Sequence, residues 1–262
     1  MKGSGITGLV LTYNGSRLLA DCLDSLSFCD HIVVVDSFST DATVDIARQA
    51  RAHCVQHPWT GPADQFRFAL ELIDREFPSD WIVSLDQDEI CTAKLRESIL
   101  AATRDPASSA LAGLYVSRRS WYYNRFLMHS GWYPDRLLRC FRRGKMRVAV
   151  SGAHYSFHPE GETRVVKGDI IHYPYASFRE HLDKINSYAQ QGADELAAKG
   201  VRGGILQGLL HGFGRFLRIY VLKLGLLDGR AGFINAAHGA FYAFLKYVRV
   251  NEGDWGKPYH RQ

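Results

Sequence analysis

Cysteine is scarce in this 262-residue sequence and spaced without pattern. Cys22, Cys29, Cys54, Cys91 and Cys140 are odd in number and contain no Cys-x-x-Cys pair. A disulfide framework and a zinc-finger ligand set are therefore not expected, and a reducing compartment is. No run of about 18 uncharged apolar residues occurs, so no clean membrane span is expected. Met1 to Gly5 lead straight into a strand-like segment with no long apolar core, so no signal peptide is expected. Excess charge is also small. A net charge of +5 suits a basic patch for phosphates or anionic lipid but not a nucleic-acid coat, and no nucleic-acid partner is expected. Gly-rich phosphate loops are missing as well. The first strand runs into Thr12-Tyr13-Asn14-Gly15-Ser16 rather than Gly-x-Gly-x-x-Gly, which disfavours a dinucleotide site. Neither a P-loop nor a Gly-x-Ser-x-Gly elbow is present.

What is present is a folded chain. It is 46% hydrophobic, 12% aromatic and 23% charged, enough apolar material for one large or two small domains and too much for disorder. Two periods alternate over the first hundred residues. Ile6–Thr12, His31–Asp36 and Trp81–Leu85 read as buried strands, with a shorter one at Ala52–Gln56. Helices are expected at Arg17–Leu26 (capped by Asn14 or Ser16), from Asp41 to about Ala50 (capped by Ser39 or Thr40), at Ala63–Glu76 and at Leu95–Thr103. Such alternation predicts a parallel sheet covered on both faces, with ligands beyond the carboxyl ends of its strands. Thr12-Tyr13-Asn14, Asp36-Ser37 and Asp86–Glu89 all lie at those ends. After Asp105 the pattern changes: strands at Leu111–Arg118, Arg136–Phe141 and Val165–His172, an aromatic loop at Trp121–Asp135, a helix at Ser177–Lys199, and a Leu/Phe/Gly-rich stretch at Ile205–Val250.

Asp86-Gln87-Asp88 leaves a buried strand with two carboxylates one residue apart. That arrangement suits a hard divalent cation, Mg²⁺ or Mn²⁺, with positions left for diphosphate oxygens; the alternative is a solvated acidic turn. Asp36 ends a strand where an acid accepts hydrogen bonds from a ribose or base, or else caps the next helix. Arg136, Arg139, Arg142, Arg143, Lys145 and Arg147 form either an anion cradle or a solvated hairpin. In Ile205–Val250 cations punctuate apolar runs. This reads as interfacial helices on an anionic membrane surface, or as helices packed on the catalytic domain or a second subunit.

Val10-Leu11-Thr12-Tyr13-Asn14, IVVVDSFSTDATVDIA and WIVSLDQDE resemble the nucleotide-sugar half of family 2 glycosyltransferases. Gly131–Arg136 (GWYPDR), LLRCFRRGK, Ile171-His172-Tyr173, HLDKINSY and LDGRAGF…AFLKY resemble the branch that adds β-1,4-glucose to the lipopolysaccharide core. The resemblance covers nearly the whole chain. It implies a GT-A fold: a Rossmann-like, mostly parallel α/β sheet with a C-terminal helical extension. Residues 1–200 would be the catalytic domain, with a nucleotide-sugar half (1–105) and an acceptor half (106–200), and 201–262 the helical extension. By the resemblance Thr12, Asn14 and Asp36 surround uracil and ribose, Asp86 faces ribose and metal, Asp88 ligates the metal, and His172 is a further metal or diphosphate contact. Three departures stand out. Asn14-Gly15 replaces Asn-Glu. Gln65-Phe66-Arg67 replaces Gln-Lys-Asn, so Gln65 is retained and Arg67 is expected to supply the cation one position on. His154-Tyr155 replaces His-Glu, removing the natural general base, for which Asp135 or His154 are the candidates.

The resulting expectation is an inverting, metal-dependent transferase. It moves a hexose, glucose from a UDP-sugar donor, onto a lipid-linked glycan acceptor at the cytoplasmic face of a bacterial inner membrane. Peripheral contact with anionic lipid is expected, and a homo-oligomer is left open. The rivals are transfer of another sugar, a non-catalytic nucleotide-sugar scaffold, and a nucleotidyltransferase.

Overall fold

The computed structural model describes residues 5–77, 79–151 and 154–250, and the side chains of all of these except 149–151 and 154–156. The strands are β1 (Ile6–Thr12), β2 (His31–Asp36), β3 (His53–Gln56), β4 (Trp81–Asp86), β5 (Glu89–Cys91), β6 (Leu111–Tyr122), β7 (Arg125–Phe126), β8 (Asp135–Arg142), β9 (Met146–Ser151), β10 (His154–Pro159) and β11 (Glu162–His172). The helices are α1 (Leu19–Ser25), α2 (Thr43–Gln49), α3 (Pro62–Glu76), α4 (Ala93–Arg104), α5 (Phe178–Ala198), α6 (Ile205–Leu217) and α7 (Gly229–Arg249). The main sheet runs β3-β2-β1-β4-β8-β6-β11-β5, with β7 on β6 and a separate β9–β10 hairpin. β3, β2, β1 and β4 are parallel, and β8 then joins β4 antiparallel.

The apolar runs of β1, β2 and β4 have no polar alternation because both faces of this part of the sheet are covered. Val10, Val34, Val83 and Leu85 pack with Leu19, Cys22 and Leu23 of α1 and Leu95 and Ile99 of α4. Leu9, Val33, Val35 and Ile82 face the other way, onto Phe66, Ala69 and Ile73 of α3. Each such side chain contributes about 1.5–3 kcal/mol by leaving water.

Two expected helix caps are absent. Leu18 and Ala42 occupy the cap positions of α1 and α2 without side-chain bonds. Asn14, Ser39 and Thr40 are engaged with one another and with Asp36 instead. The acidic turn is also shorter than its sequence suggests. Glu89 begins β5, which pairs antiparallel with β11, placing Glu89 opposite His172 and Ile171 opposite Ile90.

The described residues form two compact units: those from 5 to 119 with Asp135–His172, and Ser120–Pro134 with those from 173 to 250. The second unit takes in α5, which the sequence groups with the catalytic domain. Its core gathers Tyr122, Leu127 and Ala231 with Trp132, Tyr175 and Ile234 around them. Asp228 holds the Leu127–Trp132 segment there, accepting from the backbone N–H of Met128 (3.1 Å) and His129 (3.0 Å) and from Ser130 Oγ (3.1 Å). α6 lies against α7 through glycines. A Cβ at Gly208 would stand 3.0 Å from the Phe244 carbonyl oxygen, and one at Gly212 3.0 Å from that of Ala240. The apolar side chains of α6 consequently point away from this contact, and Ile205, Leu206, Leu209, Leu210 and Phe213 are exposed.

In the first unit Gly168 has φ +95°, and a Cβ there would fall 2.6 Å from Leu95 Cα. β11 can therefore pass α4 only with glycine at this position. Gly168→Ala should lower unfolding free energy by about 2–3 kcal/mol, from a left-handed φ and a backbone clash. Urea titration measures this, and an unchanged midpoint would contradict so close an approach.

Candidate active site

Strand register brings the acids together. Leu11 pairs with Asp86, Thr12 with Asp36, and Asp36 with Gln56, so the carboxyl ends of β1, β2, β3 and β4 lie side by side. Gln87 clamps the Asp86–Asp88 turn to the exit of β1: its Oε1 accepts from Tyr13 N–H (3.0 Å) and its Nε2 donates to the Tyr13 carbonyl (3.2 Å). A Cβ at Gly15 would collide with the Gln87 side chain.

The centre of the site is a chain of ion pairs. Arg139, almost fully buried, bonds Asp86 and also reaches Glu89 (2.8 Å). Glu89 is 0% exposed and pairs with Arg118 (3.0 Å) as well. Arg118 donates two bonds to Asp135 Oδ2, at 2.9 and 2.7 Å. The β6–β8 register sets this last pair, because Arg118 stands directly opposite Asp135. Desolvation raises the Glu89 carboxyl to about 6; Arg139 opposes that rise and Asp86 adds to it. Burial also favours neutral Asp86, but Arg139 outweighs it and holds that carboxyl below its usual value. Burial disfavours the Arg118 cation, yet Glu89 and Asp135 together raise it.

Asp88 and His172 lie beside this chain, with His172 Nε2 3.7 Å from Asp88 Oδ2. The β11–β5 pairing accounts for their meeting. Among the described residues no three His, Cys, Asp or Glu side chains close around one point. The fit to a divalent cation is that of a half-shell: a carboxylate and an imidazole, with further positions open to a ligand's oxygens. The surrounding charge agrees. Asp86, Asp88, Glu89 and Asp135 present four carboxylates against the guanidiniums of Arg118 and Arg139, an excess of two negative charges when all are ionised.

The remaining predicted residues occupy varied settings. Asp36 is fully buried, accepting from Ser39 N–H (2.9 Å), Ser39 Oγ and Gln56 Nε2 (3.0 Å), so it organises the turn after β2. Asn14 Oδ1 accepts from Thr40 N–H at 2.9 Å. Thr12 Oγ1 is buried without a partner among the described residues. Gln65 is buried and donates to Ser37 Oγ and to the carbonyls of His57 and Pro58. Arg67 projects from α3 into solvent and pairs with Asp64 (3.3 Å). His154 lies on β10 opposite Ser151, and its side chain, like that of Tyr155, falls outside the described residues.

Sequence reading gave no role to Glu89 or Arg118, and left Arg139 as one of several cations. The one available signal was an acid ending WIVSLDQDE and two arginines inside apolar strands, where an unpaired charge is costly. It placed Tyr13 at a strand end without a role of its own and gave none to Phe38; the two are 58% and 52% exposed.

A model of Glycosyl transferase family 2 matches residues 9–184. Lipopolysaccharide core biosynthesis glycosyltransferase LpsC of Rhizobium meliloti (strain 1021) is 31% identical over 94% of this chain and 91% of its own. An uncharacterized glycosyltransferase of Rickettsia typhi is 24% identical over 94% of this chain and 87% of its own. Mannosyltransferase PcManGT from Pyrobaculum calidifontis, solved with GDP-Man and Mn²⁺, is 17% identical and covers 98% of this chain and 89% of its own, with a TM-score of 0.52, a likeness of fold.

The position of Glu89 has a consequence for stability. Between its ordinary pKa of 4.5 and its folded value of about 6, the unfolded chain has released a proton that the folded chain keeps. Stability from this group is therefore full below pH ~4.5 and lost as pH rises through ~6. Measured in EDTA, the stability difference between wild type and Glu89→Gln should shift against wild type by about 2 kcal/mol from pH 4 to pH 7. A pH-independent difference would place Glu89 outside the buried ion chain.

Proposed function

The chain belongs to glycosyl transferase family 2 and is a glycosyltransferase of GT-A fold; from that premise we propose that it is an inverting hexosyltransferase. Its donor is a UDP-sugar, glucose from UDP-glucose, and its acceptor a lipopolysaccharide-core or other lipid-linked saccharide. The observation that carries this reading is the Asp88–His172 pair beside the anchored Asp86, at the carboxyl end of β4. The donor half is residues 1–105 and the acceptor half 106–200, followed by a helical extension.

Asp88 and His172 would hold a divalent cation, Mg²⁺ or Mn²⁺, whose chemistry is to neutralise charge growing on the leaving diphosphate. Every other part of the work falls to side chains. Arg139 fixes the Asp86 carboxylate and keeps it ionised toward the ribose and metal. Gln87 ties the carboxylate turn to Tyr13, so the β1 loop and the acids hold one geometry. Exposed rings at Tyr13 and Phe38 offer flat faces to a nucleobase. Asp36, Asn14 and Thr12 shape the nucleoside pocket, with Gln65 bracing the loop after β2 and Arg67 at its rim. The acceptor hydroxyl must lose a proton as it attacks, and a carboxylate or imidazole on the opposite side takes it. Asp135, oriented by Arg118, is the base we assign, with His154 the alternative.

The extension supports membrane contact. Among the described residues no helix is long and apolar enough to cross a membrane. From Gly200 to Val250 the sequence has one acid, Asp228, against seven arginines and lysines. The exposed row on α6 continues into Leu222, Leu226 and Leu227, with Arg215, Arg218, Lys223 and Arg230 exposed around it. Apolar side chains amid cations suit the interface of an anionic leaflet, here the cytoplasmic face of an inner membrane.

Two measurements test these assignments. In calorimetric titration with Mn²⁺, Asp88→Ala should weaken UDP binding by about tenfold or more, and should erase the difference between Mn²⁺ and EDTA. Metal-dependent binding that survives the substitution would remove Asp88 from the metal site. In flotation, Leu206→Glu with Leu210→Glu should lower association with phosphatidylglycerol vesicles by roughly tenfold while leaving UDP affinity unchanged. Equal flotation of the two proteins would mean that α6 faces something other than lipid.

A further inference from the structure

The second unit contains a cavity of about 270 Å³ walled by Trp121, Tyr122, Tyr123, Tyr175, Phe178 and His181, with Ser177 at its edge. Its mouth is aromatic: Tyr123 and Phe178 are 51% and 44% exposed, their ring centroids 5.6 Å apart. Its floor is polar. Tyr122 Oη lies 3.2 Å from His181 Nδ1 and 2.9 Å from His238 Nδ1, and the two imidazole nitrogens are 3.0 Å apart. Tyr175 stacks obliquely on His181 at 4.3 Å, closing the wall.

The backbone at Tyr123 adds an independent observation. Trp121 pairs with Phe126 and Tyr122 with Arg125, so Tyr123-Asn124 is a two-residue hairpin loop. Tyr123 has φ +61°, a conformation that glycine, asparagine or aspartate adopts at far lower cost than a bulky aromatic. A tyrosine kept there, with its ring half in solvent at a cavity mouth, points to a use for the ring rather than for the turn.

We propose that this cavity is a binding site for a neutral sugar ring of the glycan acceptor. The inference rests on the reading of that acceptor as a glycan and gives it a location. A pyranose has an apolar C–H face that stacks on aromatic rings and a rim of hydroxyls that bond polar groups, the two surfaces this cavity supplies. The volume lies just under the roughly 300–1,000 Å³ of sites for drug-sized ligands, which suits a single sugar ring. Burial, with His238 and Lys184 nearby, lowers the His181 imidazole to about 4, and burial lowers that of His238 as well. At neutral pH this Tyr122–His181–His238 cluster is therefore uncharged, matched to hydroxyls and not to a phosphate head group. Lys184, over the Tyr175 ring at 4.9 Å, is occupied by Glu180 (3.3 Å) and the Pro174 carbonyl (2.9 Å).

The test uses the full chain without donor or metal, so it reads out whether or not UDP binds. The probe is lipopolysaccharide core oligosaccharide freed of lipid, followed by saturation-transfer NMR. A phosphatidylglycerol-derived short-chain lipid serves as competitor. Wild type should saturate the sugar-ring protons, and the lipid should not displace the sugar. Phe178→Ala and Tyr123→Asn should each raise Kd by about tenfold, the loss of one aromatic stacking face. Tyr123→Asn should at the same time melt at the same or a higher temperature, because asparagine tolerates the left-handed turn. A merely structural tyrosine would instead lose stability when replaced. No saccharide binding by wild type, variant affinities within twofold of wild type, or displacement by the lipid would each overturn the proposal. Loss of UDP binding in a separate titration would count against the donor assignment and leave this result standing.

Discussion

Glu89 has no access to water and sits between two guanidiniums. A lone carboxylate in that place would be too costly to keep ionised. Arg139 and Arg118 make it tolerable, and each then has hydrogen-bonding capacity left for a second acid. Arg139 uses it on Asp86 and Arg118 on Asp135. One buried carboxylate thereby fixes two others that come from adjacent antiparallel strands, the end of β4 and the start of β8. Asp86 and Asp135, the acids proposed to face donor and acceptor, are positioned by an ion chain whose middle member is shut away from water.

This arrangement also separates roles that look alike in the sequence. Asp86, Asp88 and Glu89 lie within four residues, yet each has a different environment. Asp86 is held ionised by Arg139. Asp88 turns toward His172, brought alongside by the antiparallel β11–β5 ladder. Glu89 is pushed up by burial to about 6. The turn between β4 and β5 creates the difference by leaving the Asp86 and Asp88 side chains partly exposed and turning that of Glu89 fully inward. Replacing any one of them changes the charge balance that the other two experience.

The second unit is organised by different physics. α6 meets α7 through glycines, where an added Cβ would stand 3.0 Å from a backbone carbonyl of α7, and the large apolar residues of α6 are left outside. The aromatic segment 120–134 is pinned by Asp228, whose carboxylate takes up backbone N–H groups that would otherwise be unsatisfied. Hydropathy alone registers both helices as apolar and gives no sign of which face is covered.

Much of this protein was legible in its sequence. Uninterrupted Val/Ile/Leu runs ending in Thr12, Asp36 and Asp86 announce parallel strands buried on both faces, because no one-sided sheet tolerates such runs. That pattern, with long motifs resembling family 2 glycosyltransferases, pointed to the carboxyl ends of these strands as the place for a donor and to Asp36, Asp86 and Asp88 as its candidate acids. The sequence could not say which acids touch one another. Arg118 and Asp135 are 17 residues apart, Arg139 and Glu89 50, and ion pairs over such separations are set by strand register. Nor could it distinguish a cap from a clamp: Asn14, Ser39 and Thr40 carry helix-capping chemistry, but the turn after β2 uses all three around Asp36. Local propensity and periodicity act over a few residues and so determined the elements and their order. Antiparallel pairing and burial act across the whole sheet, and only they decided which charges meet and which one is shut away from water.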